Sequence, residues 1–335
     1  GTMPFDGGDL DGDGHPELIV ATPRVREVAG EVRVYRTPLQ PGTNTPTWTL
    51  AGTEAGLFFG EGVGAGDFDG DGYGDLAIGA PGWQSRRGRV QVYRGGPAGL
   101  AMTPSATIES PAGIGQLFTV RGAGDVRGDG VDALLTGVEG NASSVGVYTF
   151  QPGLMPVPYW NYLRAGSGFS ATGVLCDVSG DGRLDVVVSS GRDRLDHGCI
   201  RVFTADDAGM YSDADRASFC AGRPMDGVDF GRYLGAGDLN GDGIADLVAT
   251  GTDGPDGPRR FFVQYGGRRL LQEEPIEVRE APAQGVPLFG YFQVGDLDGD
   301  GYADVAVFGH DRQGWRAWRY RGGPTGLAIT SDGEL

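Results

Sequence analysis

Hydrophobic residues in this chain stand in short runs and in two-residue alternations, and never hold a helical period. The best attempt at a helix, Arg268 to Ala281, is interrupted by Pro275, and no other stretch keeps the period over about 12 residues. Two strand patterns recur instead. One is apolar on successive positions, as in Leu18-Ile19-Val20 and Val186-Val187-Val188. A strand of that kind must be buried on both faces. The other alternates, as in Val32, Val34, Tyr35, or Val90, Val92, Tyr93, or Ile200, Val202, Phe203. A further short segment follows it, such as Thr47-Trp48-Thr49-Leu50 or Ala106-Thr107-Ile108. Gly, Pro and Asp separate them, so the chain is expected to be all-β.

These segments are parts of one repeat. Six acidic loops align, beginning at Asp9, Asp67, Asp125, Asp177, Asp238 and Asp296, with spacings of 58, 58, 52, 61 and 58 residues. Ahead of the later loops stands an aromatic, in places followed by Gly: Phe59-Gly60, Phe118, Phe169, Phe230-Gly231 and Phe289-Gly290. Four short strands per repeat is the pattern of β-propeller blades. The chain begins almost at a first strand, Met3 to Gly8, and ends at Thr330 to Leu335, which aligns with an outer strand. A single propeller domain over residues 1–335 is the expectation.

The second repeat carries the order most fully: Phe59-Gly60, the acids from Asp67 to Asp75, Gly79-Ala80-Pro81, then Gly88 to Tyr93. This resembles the FG-GAP repeat of integrin α-subunit propellers, which bacterial FG-GAP proteins and a calcium-binding fungal lectin share. The resemblance covers essentially the whole chain. It implies four-stranded blades that begin at the Phe-Gly, with a calcium loop joining the first and second strands. Six blades are expected in this chain, with seven as the alternative.

The loops have the chemistry of a calcium site. Ca²⁺ is a hard ion that takes about 6–8 oxygens. A nine-residue loop supplies them from side chains at positions 1, 3, 5 and 9 and a carbonyl at position 7. The first loop offers Asp9, Asp11, Asp13, the His15 carbonyl and Glu17; the second offers Asp67, Asp69, Asp71, the Tyr73 carbonyl and Asp75. The fourth has Asp177, Ser179, Asp181, the Arg183 carbonyl and Asp185; the fifth has Asp238, Asn240, Asp242, the Ile244 carbonyl and Asp246. The sixth has Asp296, Asp298, Asp300, the Tyr302 carbonyl and Asp304. An EF-hand would need Glu at position 12, where these loops have Val20, Ile78, Val188, Ala249 and Val307. The third loop departs, with Arg127 at position 3 and Ala133 at position 9. It is expected to hold no metal, its guanidinium pairing with Asp125 and Asp129 instead. Asp132 is the one acid near enough to rescue it. Five filled loops are therefore expected.

Charge fits this reading. The formal net charge is −18, and five divalent ions would bring it to −8. A net acidic chain is a poor non-specific nucleic-acid binder. All 27 bases are Arg, which suggests a GC-rich genome, and a bacterial source is expected. Gly, at 63 of 335 residues, supplies the turns. Cys176, Cys199 and Cys220 are too few for a disulfide framework; three buried thiols are expected, with at most one pair bonded. No apolar run is long enough to span a membrane, and no signal-peptide pattern opens the chain.

Nothing catalytic remains once the loop acids are set aside. His15, His197 and His310 form no metal or triad spacing, and Arg127-Gly128-Asp129 reads as a decayed loop. The connections between second and third strands carry Arg24, Arg26, Trp83, Arg86, Arg87, Arg192, Arg194, Arg259, Arg260, Arg312 and Trp315. The resemblance implies that ligands bind on that face, opposite the calcium loops. Trp83, Arg86, Arg87, Arg192, Arg194 and Trp315 are its candidate ligand-binding residues, for an anionic protein or glycan partner. The expected function is a non-enzymatic extracellular or cell-surface (or periplasmic) binding and adhesion module. A calcium-dependent lectin is the alternative, and a polysaccharide-active enzyme comes third.

Overall fold

Each repeat folds into a sheet of its own. The computed structural model describes residues 3–6, 8–25, 29–39, 45–110, 115–140, 142–165, 171–190, 198–212, 217–220, 230–231, 233–252, 259–267, 277–280, 288–311, 314–328 and 331. Among them the chain forms two compact units, Gly1–Ala171 and Thr172–Leu335.

The first unit holds three four-stranded sheets. The first is built from β1 (Met3–Asp6), β2 (Leu18–Thr22), β3 (Glu31–Tyr35) and β4 (Trp48–Ala51). The second is built from β5 (Val63–Gly66), β6 (Asp75–Ala80), β7 (Arg89–Tyr93) and β8 (Ala106–Glu109). The third is longer: β9 (Gly115–Gly122), β10 (Leu134–Gly140), β11 (Ala142–Gln151) and β12 (Met155–Ala165). The second unit continues with β13 (Ala171–Cys176), β14 (Asp185–Ser190), β15 (Cys199–Phe203) and β16 (Ala217–Cys220). Then come β17 (Leu234–Gly237), β18 (Asp246–Thr252), β19 (Arg259–Gln264) and β20 (Glu277–Glu280), and last β21 (Leu288–Gly295), β22 (Asp304–Asp311) and β23 (Gly314–Tyr320). Strands follow one another across every sheet in chain order. The outer strand expected at Thr330 to Leu335 lies, but for Ser331, outside the described residues.

The second strand of each sheet explains the successive apolar positions. All six residues of β6 are buried. Leu76 and Ile78 face Ile19, Val32, Val34 and Phe59 on one side, while Ala77 faces Phe68, Leu117, Val120 and Leu134 on the other. In the second unit, Leu247 and Ala249 of β18 pack with Val187, Ile200 and Val202, and Val248 packs with Val305, Val307 and Trp318. Sheets within a unit therefore stack face to face. The Phe-Gly pair serves this stacking. Phe59 is buried between the first two sheets, and a side chain at Gly60 would meet Val32 Cγ2 at 2.8 Å.

Backbone hydrogen bonds latch consecutive loops together. The N–H at position 8 of one loop donates to the position 1 carbonyl of the loop before: Gly74 to Asp9 (2.8 Å), Asp132 to Asp67 (2.8 Å), Ala245 to Asp177 (2.9 Å) and Ala303 to Asp238 (2.7 Å). A Gly-Gly pair past the third strand adds a second bond, from Gly96 to Leu10 O, Gly267 to Val178 O and Gly323 to Leu239 O. The approach leaves no room for a side chain: a Cβ on Gly95 would lie 2.0 Å from Gly74 O. Gly95→Ala should therefore lower stability by about 3 kcal/mol, near the top of the overpacking range. Gly323→Ala, where nothing lies within 4 Å, should leave it nearly unchanged. Urea melts of both variants compare them directly.

Candidate metal centre

Every loop is tied by its leading acid. Asp9 Oδ1 accepts from the N–H groups of Gly12 (2.7 Å) and Asp13 (3.1 Å), and Oδ2 accepts from Gly14 (2.9 Å). Asp67, Asp177, Asp238 and Asp296 repeat that set, and Asp125 repeats its two glycine bonds. Glycines with positive φ at positions 4 and 6, such as Gly70 (73°) and Gly72 (87°), make that curl possible. The position 5 acid accepts the N–H of position 7, as Asp71 does from Tyr73 (3.0 Å).

Position 9 is the buried floor of the site. Glu17, Asp75, Asp185, Asp246 and Asp304 are at most 1 % exposed. Each accepts the N–H of position 2, from Leu10 (2.6 Å), Phe68 (2.9 Å), Val178 (3.1 Å), Leu239 (2.9 Å) and Leu297 (3.3 Å). In three loops the other oxygen accepts from the glycine past the third strand: Gly95, Gly266 and Gly322. Burial pushes the Glu17 and Asp75 carboxyls up to about 7 and those of Asp185 and Asp246 to about 6, and the other loop acids add to the rise.

These donors suit a hard divalent cation. Asp9, Asp11 and Asp13 bring carboxylate oxygens within 4.8 Å of one another, as do Asp67, Asp69 and Asp71, and Asp296, Asp298 and Asp300. Asp11 Oδ1, Glu17 Oε1, Asp69 Oδ1 and Asp185 Oδ1 are buried with no hydrogen-bond partner. Buried charged oxygens in that condition call for a cation. Position 3 has guanidinium neighbours. Arg36 pairs with Asp11, Arg94 pairs with Asp69, and Asp298 meets both Arg319 (3.2 Å) and Arg321 (3.3 Å). Arg183 pairs with Asp181 (3.6 Å) and Asp207 (2.8 Å).

The third loop is organised differently. Arg127 pairs with Asp129 at 2.8 Å and reaches the Phe150 carbonyl at 3.3 Å. The expected pairing with Asp125 is replaced by backbone N–H groups of Arg127, Gly128 and Gly130. Asp132 turns away to accept the Asp67 N–H (2.9 Å), so it serves the second loop. The long β11–β12 hairpin packs against this region, with Phe150 and Leu154 buried beside Phe68 and Val131. Arg127-Gly128-Asp129 is folded back on itself by its own ion pair.

At the opposite end of the second sheet, Trp83, Arg86 and Arg87 share a tight turn. Arg87 and Arg89 lie 5.9 and 5.2 Å from the Trp83 ring centroid. Gln84, Ser85 and Arg86 all have positive φ (47°, 58° and 71°), a strained run for residues with side chains. Arg24 lies 5.6 Å from the Phe58 ring centroid and pairs with Glu61 at 3.5 Å. Trp315 departs from the sequence expectation: it stands within β23 opposite His310 of β22, because the strands extend through the expected connection. Arg192 and Arg194 lie outside the described residues. The cysteine expectation is also corrected. Cys199 is disulfide-bonded, Cys176 is free, and Cys220 stands directly opposite Cys199 in the strand register.

The sequence matches the FG-GAP repeat at residues 5–35 and 59–93, and the FG-GAP-like repeat at residues 177–249 and 238–307. Integrin alpha-IIb of Mus musculus is 37 % identical over 160 residues, covering 44 % of this chain and 15 % of the relative. Human integrin alpha-IIb is 36 % identical over 157 residues (43 % and 15 %), and Xenopus laevis integrin alpha-5 is 35 % identical over 162 residues (43 % and 15 %). The chain thus spans about 15 % of the length of these curated relatives. Among solved structures, a rhamnogalacturonan lyase of Bacillus licheniformis aligns with 100 % of this chain and 57 % of its own, at 15 % identity and a TM-score of 0.49.

Proposed function

This chain is an integrin-like FG-GAP repeat protein, and from that premise we propose that it is a calcium-binding β-propeller acting as a non-enzymatic extracellular binding module. Each of its six sheets serves as a blade. The loops at Asp9, Asp67, Asp177, Asp238 and Asp296 each hold one Ca²⁺ through positions 1, 3, 5 and 9 and the position 7 carbonyl. The third loop works without metal, its place taken by Arg127 and the β11–β12 hairpin. Calcium is a structural ion here: it joins the turn between first and second strands to the buried position 9 acid.

The observation that carries this reading is the set of partnerless buried oxygens on Asp11, Glu17, Asp69 and Asp185, inside loops otherwise saturated with hydrogen bonds. The ligand-binding surface is the opposite end of the sheets. There Trp83, Arg86, Arg87 and Arg24 offer guanidinium donors and aromatic faces to an anionic protein or glycan segment. The disulfide-bonded Cys199 favours an oxidising compartment. Calorimetric titration of ion-free protein with CaCl₂ should reach five ions per chain. A plateau at none would overturn the metal assignment, and six would overturn the metal-free third loop.

A further inference from the structure

One residue covaries with the loops inside this single chain. In each sheet, position 10 of the loop pairs across to the third strand: Leu18 with Tyr35, Leu76 with Tyr93, Leu134 with Tyr148, Val186 with Phe203, Leu247 with Gln264 and Val305 with Tyr320. The residue after that partner is Arg36, Arg94, Thr149, Thr204, Tyr265 and Arg321 in turn. Position 3 of the same loops is Asp11, Asp69, Arg127, Ser179, Asn240 and Asp298. Arginine follows the third strand in all three repeats with Asp at position 3. It is absent where position 3 is neutral, and in the third repeat it has moved into position 3 itself.

The contacts make the correlation physical. Arg36 and Arg94 each bind Oδ2 of the position 3 Asp, leaving Oδ1 without a hydrogen-bond partner, and Arg321 reaches Asp298 Oδ2. The Asp11 and Asp69 side chains are 1 % and 4 % exposed, while Arg36 and Arg94 are half-exposed, so each pair has a buried acid and a guanidinium at the rim and is partly screened. We propose that Arg36, Arg94 and Arg321 are resident counter-cations that lower the affinity of the four-carboxylate loops, each offsetting the extra carboxylate that Asp at position 3 adds. With one guanidinium, the first and second loops present three net negative charges, as the fifth does with Asn240; the fourth, where Arg183 pairs with Asp181, presents two. The sixth loop meets a second guanidinium, Arg319, and so also presents two. This inference rests on the calcium reading above.

The test is a calcium titration of ion-free full chain followed by calorimetry, comparing wild type with Arg36→Met/Arg94→Met/Arg321→Met. Three of the five ions should bind about tenfold more tightly, as expected for removing a neighbouring positive charge from a partly buried site. The stoichiometry should stay at five, while the melting midpoint in EDTA falls because the acids have lost their partners. The triple Arg→Lys variant, which keeps the charge, should bind as wild type does. Adding Asp69→Asn to Arg94→Met recreates the neutral pattern of the fifth loop and should return that site to wild-type affinity. Should the triple Met variant fail to fold without ions, Arg94→Met alone reads the same effect on one ion. Unchanged or weaker binding in the Met variants overturns the inference and leaves the calcium reading standing. Absence of calcium binding by wild type overturns that reading and this inference with it.

Discussion

Chelation by EDTA should lower the melting midpoint of this protein by about 20 °C, measured by circular dichroism against the same protein in millimolar CaCl₂. An ion that binds only the folded chain stabilises it by about 2.7 kcal/mol when free ligand is a hundred times its dissociation constant. Five such ions add to more than ten kcal/mol, and a domain of this size moves by roughly 2 °C per kcal/mol. The geometry makes this coupling strong. An ion held as proposed would sit between a loop held by its leading acid and a position 9 acid at most 1 % exposed, which is itself bonded to the backbone. Backbone bonds from one loop to the next would carry the loss of an ion to its neighbour. MgCl₂ should restore little of the midpoint, because Mg²⁺ keeps its waters and avoids cages made only of protein oxygens. A midpoint unmoved by EDTA would remove the structural role from the metal.

Much of this was legible in the residues, and the reason is repetition. Six aligned loops marked the acidic turns, and the apolar positions of Val186-Val187-Val188 required a strand with a sheet on either side. Contacts that depend on register were not legible. Arg94 is 25 residues from Asp69, and only the pairing of Leu76 with Tyr93 puts it beside that acid. Likewise Cys199 and Cys220 become opposed only once β15 and β16 pair. The long hairpin was not legible either: β12 runs through Pro156 and Pro158, which an outer strand tolerates because it can lack donors. Asp132 looked like a spare ligand for its own loop, and stacking of the second and third sheets gave it to the second.

Asp75→Asn separates the metal from the hydrogen bonds it shares. In calcium the variant should bind four ions rather than five and lose about 4 kcal/mol of stability, read from urea melts. Two losses combine. The ion bound by the second loop goes, since a neutral amide replaces the buried carboxylate. The amide also has one acceptor oxygen where Asp75 uses two, for Phe68 N–H and Gly95 N–H, each at 2.9 Å. One buried donor then faces an NH₂ group, at a cost of about 1–3 kcal/mol. In EDTA the comparison changes. Without an ion, burial and the neighbouring acids Asp69 and Asp71 already disfavour the Asp75 carboxylate, so its removal also relieves repulsion. The difference between variant and wild type should therefore shrink below about 2 kcal/mol, set by the lost hydrogen bond less the relieved repulsion. Asp129→Asn in the third loop is the matched control: it removes an acid from the equivalent turn, breaks the pair with Arg127, and should leave the ion count at five. Loss of an ion from that control, or an Asp75→Asn penalty equal in calcium and EDTA, would show that position 9 does not act through the metal.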